Sequence, residues 1–368
     1  MVRTGIKIIL IAFIFFCSCK EGEKAKREEE IILKVHSNID RFDSVFVYDG
    51  EVKFKYPKGE NISDFLFSDI CYTGGYYFVV SEDRKRIMKF DSTGNFVNFI
   101  GGEGEGPGEV RIILGLSVGL NQDLIVIGGV PFKAVIYKYP SYEKFIDIKF
   151  PTLSLDVVQL ASGKLVTYSL YTEALLTELS PDGKVLKNFL KPFDNKLKIF
   201  SARTYVGSLW NNSKGEIFFV DPTSGYIFRY DSSLNLICKY IAGDDLKEFF
   251  GYPKPYPQNL SPYEVTHEHV NYWKEFIHPC SGASLNDTLF IVQYYLAKNM
   301  RSWDSFRFNL ISTSGEVFIV NMKPPHNGML IFPGGDVVLE VIPGEIKGAD
   351  ITDAKIFRYK IKKQNYGG

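Results

Sequence analysis

From about residue 76 the chain repeats one rhythm of apolar and polar positions. An alternating apolar run is followed by a short polar break. A second run ends on an aromatic, a tight turn follows, and a third run closes the unit. The clearest copy is Tyr76–Val80, the break Ser81–Arg86, Ile87–Phe90, the turn Asp91–Gly94 and Asn95–Ile100. Alternation over four to eight residues is the mark of a strand, and Gly at the turn supplies the positive φ of a tight hairpin. The unit returns at Leu124–Ile148, Lys164–Phe189, Glu216–Tyr240 and Thr288–Val320, and a last copy, Asp336–Tyr359, lacks its third run.

The turns fall near positions 91, 138, 181, 231, 312 and 360. Most of these gaps lie at about 40–50 residues, the period of a four-stranded propeller blade. The pattern therefore predicts an all-β chain, a six-bladed β-propeller of four-stranded blades spanning 36–363, with a tail at 364–368. The outer strand that the last copy lacks is expected from the N-terminal segment near Phe46–Phe54. Such closure removes an open sheet edge. A β-sandwich would leave six copies of one unit unexplained.

The long gap between the turns at 231 and 312 holds an insertion at about 244–278. Tyr252–Pro257 alternates Pro with aromatics and reads as stiff and extended. Ser261-Pro-Tyr-Glu264 reads as a capping box with Pro at the first helical position, which predicts a helix from Pro262 to about Ile277. Val265, His269, Tyr272, Trp273 and Phe276 share one face of it, to pack on the propeller or to form a lid beside its mouth.

The N-terminus follows another logic. Arg3 and Lys7 precede the apolar run Ile8–Phe16, and Cys17-Ser18-Cys19 ends it. A run of this length is about half of what a bilayer-spanning helix needs, so 1–19 reads as a secretory signal. Ser18 before Cys19 resembles a lipobox, which implies acylation of Cys19 and anchoring to a membrane. Residues 20–35 open on an almost wholly charged stretch and are expected to form a flexible tether.

Composition narrows the function. Lys+Arg and Asp+Glu are both 43, so there is no basic excess of the kind that nucleic acid requires. Beyond the signal, Cys71, Cys238 and Cys280 form no Cys-x-x-Cys pair and are expected as buried thiols.

The segment Arg84–Glu109, which contains Arg-Ile-Met-Lys-Phe-Asp-Ser-Thr-Gly and Gly-Gly-Glu-Gly-Glu-Gly-Pro-Gly-Glu, resembles an NHL-type repeat. Together with the lipobox it is similar to the six-bladed propeller lipoproteins of Bacteroidetes, within the NHL/TolB-like propeller superfamily. The resemblance implies the fold and a cell-envelope location, facing the periplasm or the surface.

No motif specifies catalysis. Gly101–Glu109 lacks the Lys-Ser/Thr of a phosphate loop, and Glu103, Glu105 and Glu109 would repel phosphate. It is expected to be a tight connection between blades. His267-Glu268-His269 places its two histidines on nearly opposite sides of a helix, so they do not share a metal. No cofactor is implied, calcium being the ion left open. Asp83, Arg84, Arg203, Tyr205 and Trp210 fall near blade edges where they can line the channel. Arg203, Tyr205, Trp210, Tyr256, His267 and Trp273 are the candidate ligand-binding residues. The favoured reading is a binding or scaffolding module for a glycan, peptide or protein, without catalysis. The alternative is a metal-dependent hydrolase or lyase of lactonase-like type, with the ion in the central channel.

Overall fold

A computed structural model describes residues 29–362 other than 37–38, 61, 63–67, 202–206, 253, 265, 276, 297–305, 345, 348–349 and 352. Cys19 and the signal segment lie outside the described residues.

Six antiparallel four-stranded blades follow one another along the chain. Five are local in sequence: blade 1 over 70–100, blade 2 over 112–149, blade 3 over 156–189, blade 4 over 208–242 and blade 5 over 277–322. Blade 6 takes three strands from 329–361 and its outer strand from the N-terminal region. That strand, β2 (Phe46–Val52), pairs antiparallel with Lys355–Ile361, joining the first part of the chain to the last.

The innermost strands are Ile70–Thr73, Ile112–Val118, Asp156–Gln159, Ser208–Asn211, Ile277–Ser284 and Met329–Gly334. Each lies against the next, and the last lies against the first, so they close a ring around a central channel. The three runs read from the sequence are the second, third and fourth strands of each blade. The innermost strand is the addition that the structure makes.

Both faces of each blade are covered, and for this reason strands such as Tyr76–Val80 are apolar at nearly every position. Separate apolar clusters fill the six spaces between neighbouring blades. Between blades 4 and 5, for example, Phe218, Val220 and Tyr240 meet Phe290, Val292 and Tyr294. Cys71, Cys238 and Cys280 are buried free thiols within these layers.

Two segments depart from the sequence expectation. Residues 29–35, expected as tether, form strand β1 (Glu29–Val35). It runs parallel to the outer strand of blade 4 from Glu29 to Leu33, then meets the outer strand of blade 5 at Lys34 and Val35. The outer strands of these blades present unpaired edges, and Ile31–Leu33 is apolar enough to settle there, with Leu33 buried. The helix in the insertion is also shorter than expected. After α1 (Asn195–Ser201), between blades 3 and 4, the insertion forms α2 (His267–Trp273). The capping box is Thr266 with His269, rather than Ser261 with Glu264. His269 Nδ1 accepts from the Thr266 backbone N–H, and its Nε2–H donates to the Ser261 carbonyl. Ser261 therefore serves the turn before the helix. Val265 and Phe276 of the expected apolar face lie outside the described residues. No helix among the described residues is long and apolar enough to cross a membrane.

Candidate functional site: the central channel

Strands within a blade alternate in direction. The connection that enters each innermost strand therefore lies at the same end of the ring as the loop between the second and third strands. We term this end the upper face. The channel is a cavity of about 880 Å³ to which all six innermost strands contribute. Its wall is mainly apolar, with Leu114, Leu116, Leu155, Val158, Leu209 and Phe332, and is broken by the hydroxyls and amides of Ser117, Asn211, Ser281 and Ser284.

Many polar groups of the wall serve to stitch blades together. Gln159 Oε1 accepts from the Leu120 N–H, joining blades 2 and 3. The Gly282 N–H donates to Ser208 Oγ across blades 4 and 5. Behind the wall, Gln293 and Leu330 exchange two hydrogen bonds between blades 5 and 6. Buried polar groups are costly unless bonded, so these pairs also fix the registry of the ring.

Arg84 and Asp156 carry the charge among the described residues of the wall. Arg84 sits in the loop between the second and third strands of blade 1 at φ +58°. Its guanidinium forms a fork on Asp69, at 3.0 and 2.8 Å, and donates to the carbonyls of Ile113 and Leu114. Four bonds consume most of its donors and tie blade 1 to blade 2. Asp83 beside it accepts from Ser81 and from the Lys85 N–H, organising the turn.

Asp156 opens the innermost strand of blade 3. Its carboxylate accepts from the Val157 N–H at 2.8 Å and from the Leu209 N–H of blade 4 at 2.9 Å. The low-dielectric wall raises its pKa to about 7, against the opposing pull of these amides and of the Ser208 hydroxyl.

Trp210 lines the channel on the innermost strand of blade 4. Its indole stacks on Phe218 at 5.6 Å and covers Gly282 of blade 5. A Cβ at Gly282 would stand 2.3 Å from that ring, so only glycine admits the approach. The indole Nε1 is buried without a hydrogen-bond partner among the described residues, as is Ser284 Oγ.

The other residues proposed from the sequence go elsewhere. Tyr256 and Trp273 are buried with Leu197 and Tyr272 in a small core shared by α1 and the insertion. Trp273 stacks on His278 at 3.3 Å, and His278 Nε2 donates to its carbonyl. Burial lowers the His278 pKa to about 3, so this imidazole is neutral. The two loops thus form a cap on the upper face over blades 3 to 5. His267 is exposed on α2 while His269 is buried, so the two diverge. Arg203 and Tyr205 lie outside the described residues. Of the candidate ligand-binding residues, the described part of the channel contains Trp210.

The glycine-rich segment does connect blades 1 and 2. Gly101 and Gly108 have positive φ, the Tyr137 hydroxyl donates to the Gly108 carbonyl, and Lys133 bonds both the Gly106 carbonyl and Asp147. Among the described residues no three His, Cys, Asp or Glu side chains gather closely enough to hold a metal ion. Asn212 and Asn286, which also reach the wall, are engaged by Glu216 and by the Thr288–Leu289 backbone.

A family model described as a six-bladed β-propeller matches residues 52–204. The chain is a six-bladed β-propeller. The same fold occurs in a Bacteroides fragilis protein assigned as exported, with a TM-score of 0.59 and 14% identity over 91% of this chain and 100% of that one. A Bacteroides vulgatus structure gives a TM-score of 0.53 at 10% identity, covering 86% and 97%. Virginiamycin B lyase of Staphylococcus aureus gives 0.47 at 12% identity, covering 83% and 88%. Comparison with curated proteins gives no match.

Proposed function

We propose that the propeller is a lipid-anchored envelope module that binds a glycan or peptide fragment in its central channel, entering from the upper face. The channel carries this reading. Its volume of about 880 Å³ lies in the range of small-ligand sites, roughly 300–1,000 Å³. Its apolar wall with a few hydroxyls and amides suits an amphipathic guest. No histidine lies among the described lining residues, and the guanidinium of Arg84 is spent on joining blades, which favours holding a ligand over transforming it. The envelope location is supported by the basic and apolar N-terminus ending on Ser18-Cys19, and by the exported Bacteroides fragilis protein of the same fold.

Two measurements test this. Cys19→Ala is expected to move the protein from the membrane fraction to the soluble fraction; retention in the membrane argues against the anchor. Envelope glycans and peptides are expected to raise the melting temperature of the wild type, while Asn211→Trp, which fills the channel, removes the rise. If no fragment shifts the wild type, the channel is not the binding site.

A further inference from the structure

We propose that the ligand held in the channel bears a protonated primary amine on an apolar stem, and that the ammonium pairs with the carboxylate of Asp156. This rests on the channel being the binding site and names the chemistry that it selects.

The argument begins with what each charged group already has. Arg84 is matched by Asp69, and two more of its donors sit on carbonyls. Among the described residues Asp156 has only neutral donors: two backbone N–H groups and the Ser208 hydroxyl. A carboxylate offers about four acceptor positions, so three donors leave room for one more. The other titratable groups along the wall are Arg84, the Tyr168 hydroxyl, and the thiols of Cys71 and Cys280. Desolvation holds Tyr168 and both thiols in their neutral forms. No cation among the described residues is bonded to Asp156, and the carboxyl's raised pKa is what an unmatched acid in a low-dielectric wall should show.

An ammonium at this position supplies the missing charge, and its desolvation is repaid only there. A second acid in the ligand would meet repulsion. A neutral alcohol of the same length would gain the apolar wall, at Leu155, Val158 and Leu209, but not the charge pair. Amine binding should also expel the proton that Asp156 retains below about pH 7.

The test is calorimetric titration of the chain from Lys20 onward with n-hexylamine and with n-hexanol, between pH 6 and pH 8.5, in buffers of different ionisation heat. Saturable hexylamine binding is expected, at least tenfold tighter than hexanol. The affinity should rise with pH, and the buffer-dependent heat should report proton release at pH 6.5. Asp156→Asn is expected to abolish the preference for the amine. Equal binding of amine and alcohol overturns the proposal, and this comparison needs only the wild type, should the variant fail to fold. If hexylamine does not bind but glycan or peptide fragments still do, in a manner sensitive to Asn211→Trp, the amine is wrong and the channel reading stands. If nothing binds, the channel reading falls with it.

Discussion

At the scale of single residues, two titratable groups, the half-buried Asp156 and the buried His278, set opposite pH limbs of stability. The fold prefers the protonated form of Asp156, whose pKa rises from 3.8 to about 7. Its stabilising contribution is full below pH 3.8 and is lost as pH rises through 7. Melting temperatures should therefore fall between pH 5 and pH 8 in the wild type, and with a shallower slope in Asp156→Asn. His278 acts in the other direction. Its depressed pKa favours the neutral ring, so stability is present above pH 6.5 and is lost as pH falls toward 3. One site of this kind sets a slope of roughly 1.4 kcal/mol per pH unit. Urea unfolding of His278→Gln at pH 4 and pH 7 should show a smaller acid loss than the wild type. Gly282 tests packing alone. Gly282→Ala would force the Trp210 ring aside and should cost about 1–3 kcal/mol in denaturant unfolding, with a shift in tryptophan emission.

At the scale of elements, the N-terminal strands have unequal work. β2 supplies the full outer edge of blade 6, pairing from Phe46 to Val52 and burying Phe46 and Val52. β1 adds an eleventh-hour seam outside complete blades and buries Leu33 alone in full. A chain starting at residue 36 should keep a single cooperative thermal transition. One starting at residue 53 should lose it and bind hydrophobic dye. Similar behaviour of the two would contradict closure by β2. The helix of the insertion shows where local signals mislead. Ser261-Pro-Tyr-Glu264 carries the residues of a capping box, yet Thr266 starts the helix because His269 reaches back to both Thr266 and Ser261. A histidine at that position is not part of the usual Ser/Thr–Glu signature.

At the scale of the whole molecule, the ring turns six separate apolar layers into one wall around a cavity, and the candidate site belongs to no single blade. Arg84 and Trp210 could be placed near the channel from the sequence because they flank recognisable blade edges. Asp156 and Ser208 could not, since their partners are more than fifty positions apart and meet only when blades 3 and 4 pack. Tyr256 and Trp273 drew notice as aromatics in an unusual insertion, and the structure gives them the task of holding the cap together.

The sequence by itself determined the repeat, the tight turns, the number of blades and the N-terminal origin of the closing strand. Strands buried on both faces must be apolar throughout, and the turns between them need residues such as the Asp91 and Gly94 of blade 1. The tertiary structure decided the innermost strands and the channel. Those strands carry Gly, Ser and Asn where neighbouring blades approach closely, as in Ser208–Asn211 and Ser281-Gly282, so their alternation is weak. Whether a polar side chain there stitches blades or faces a guest depends on distances across the ring, which no local pattern encodes.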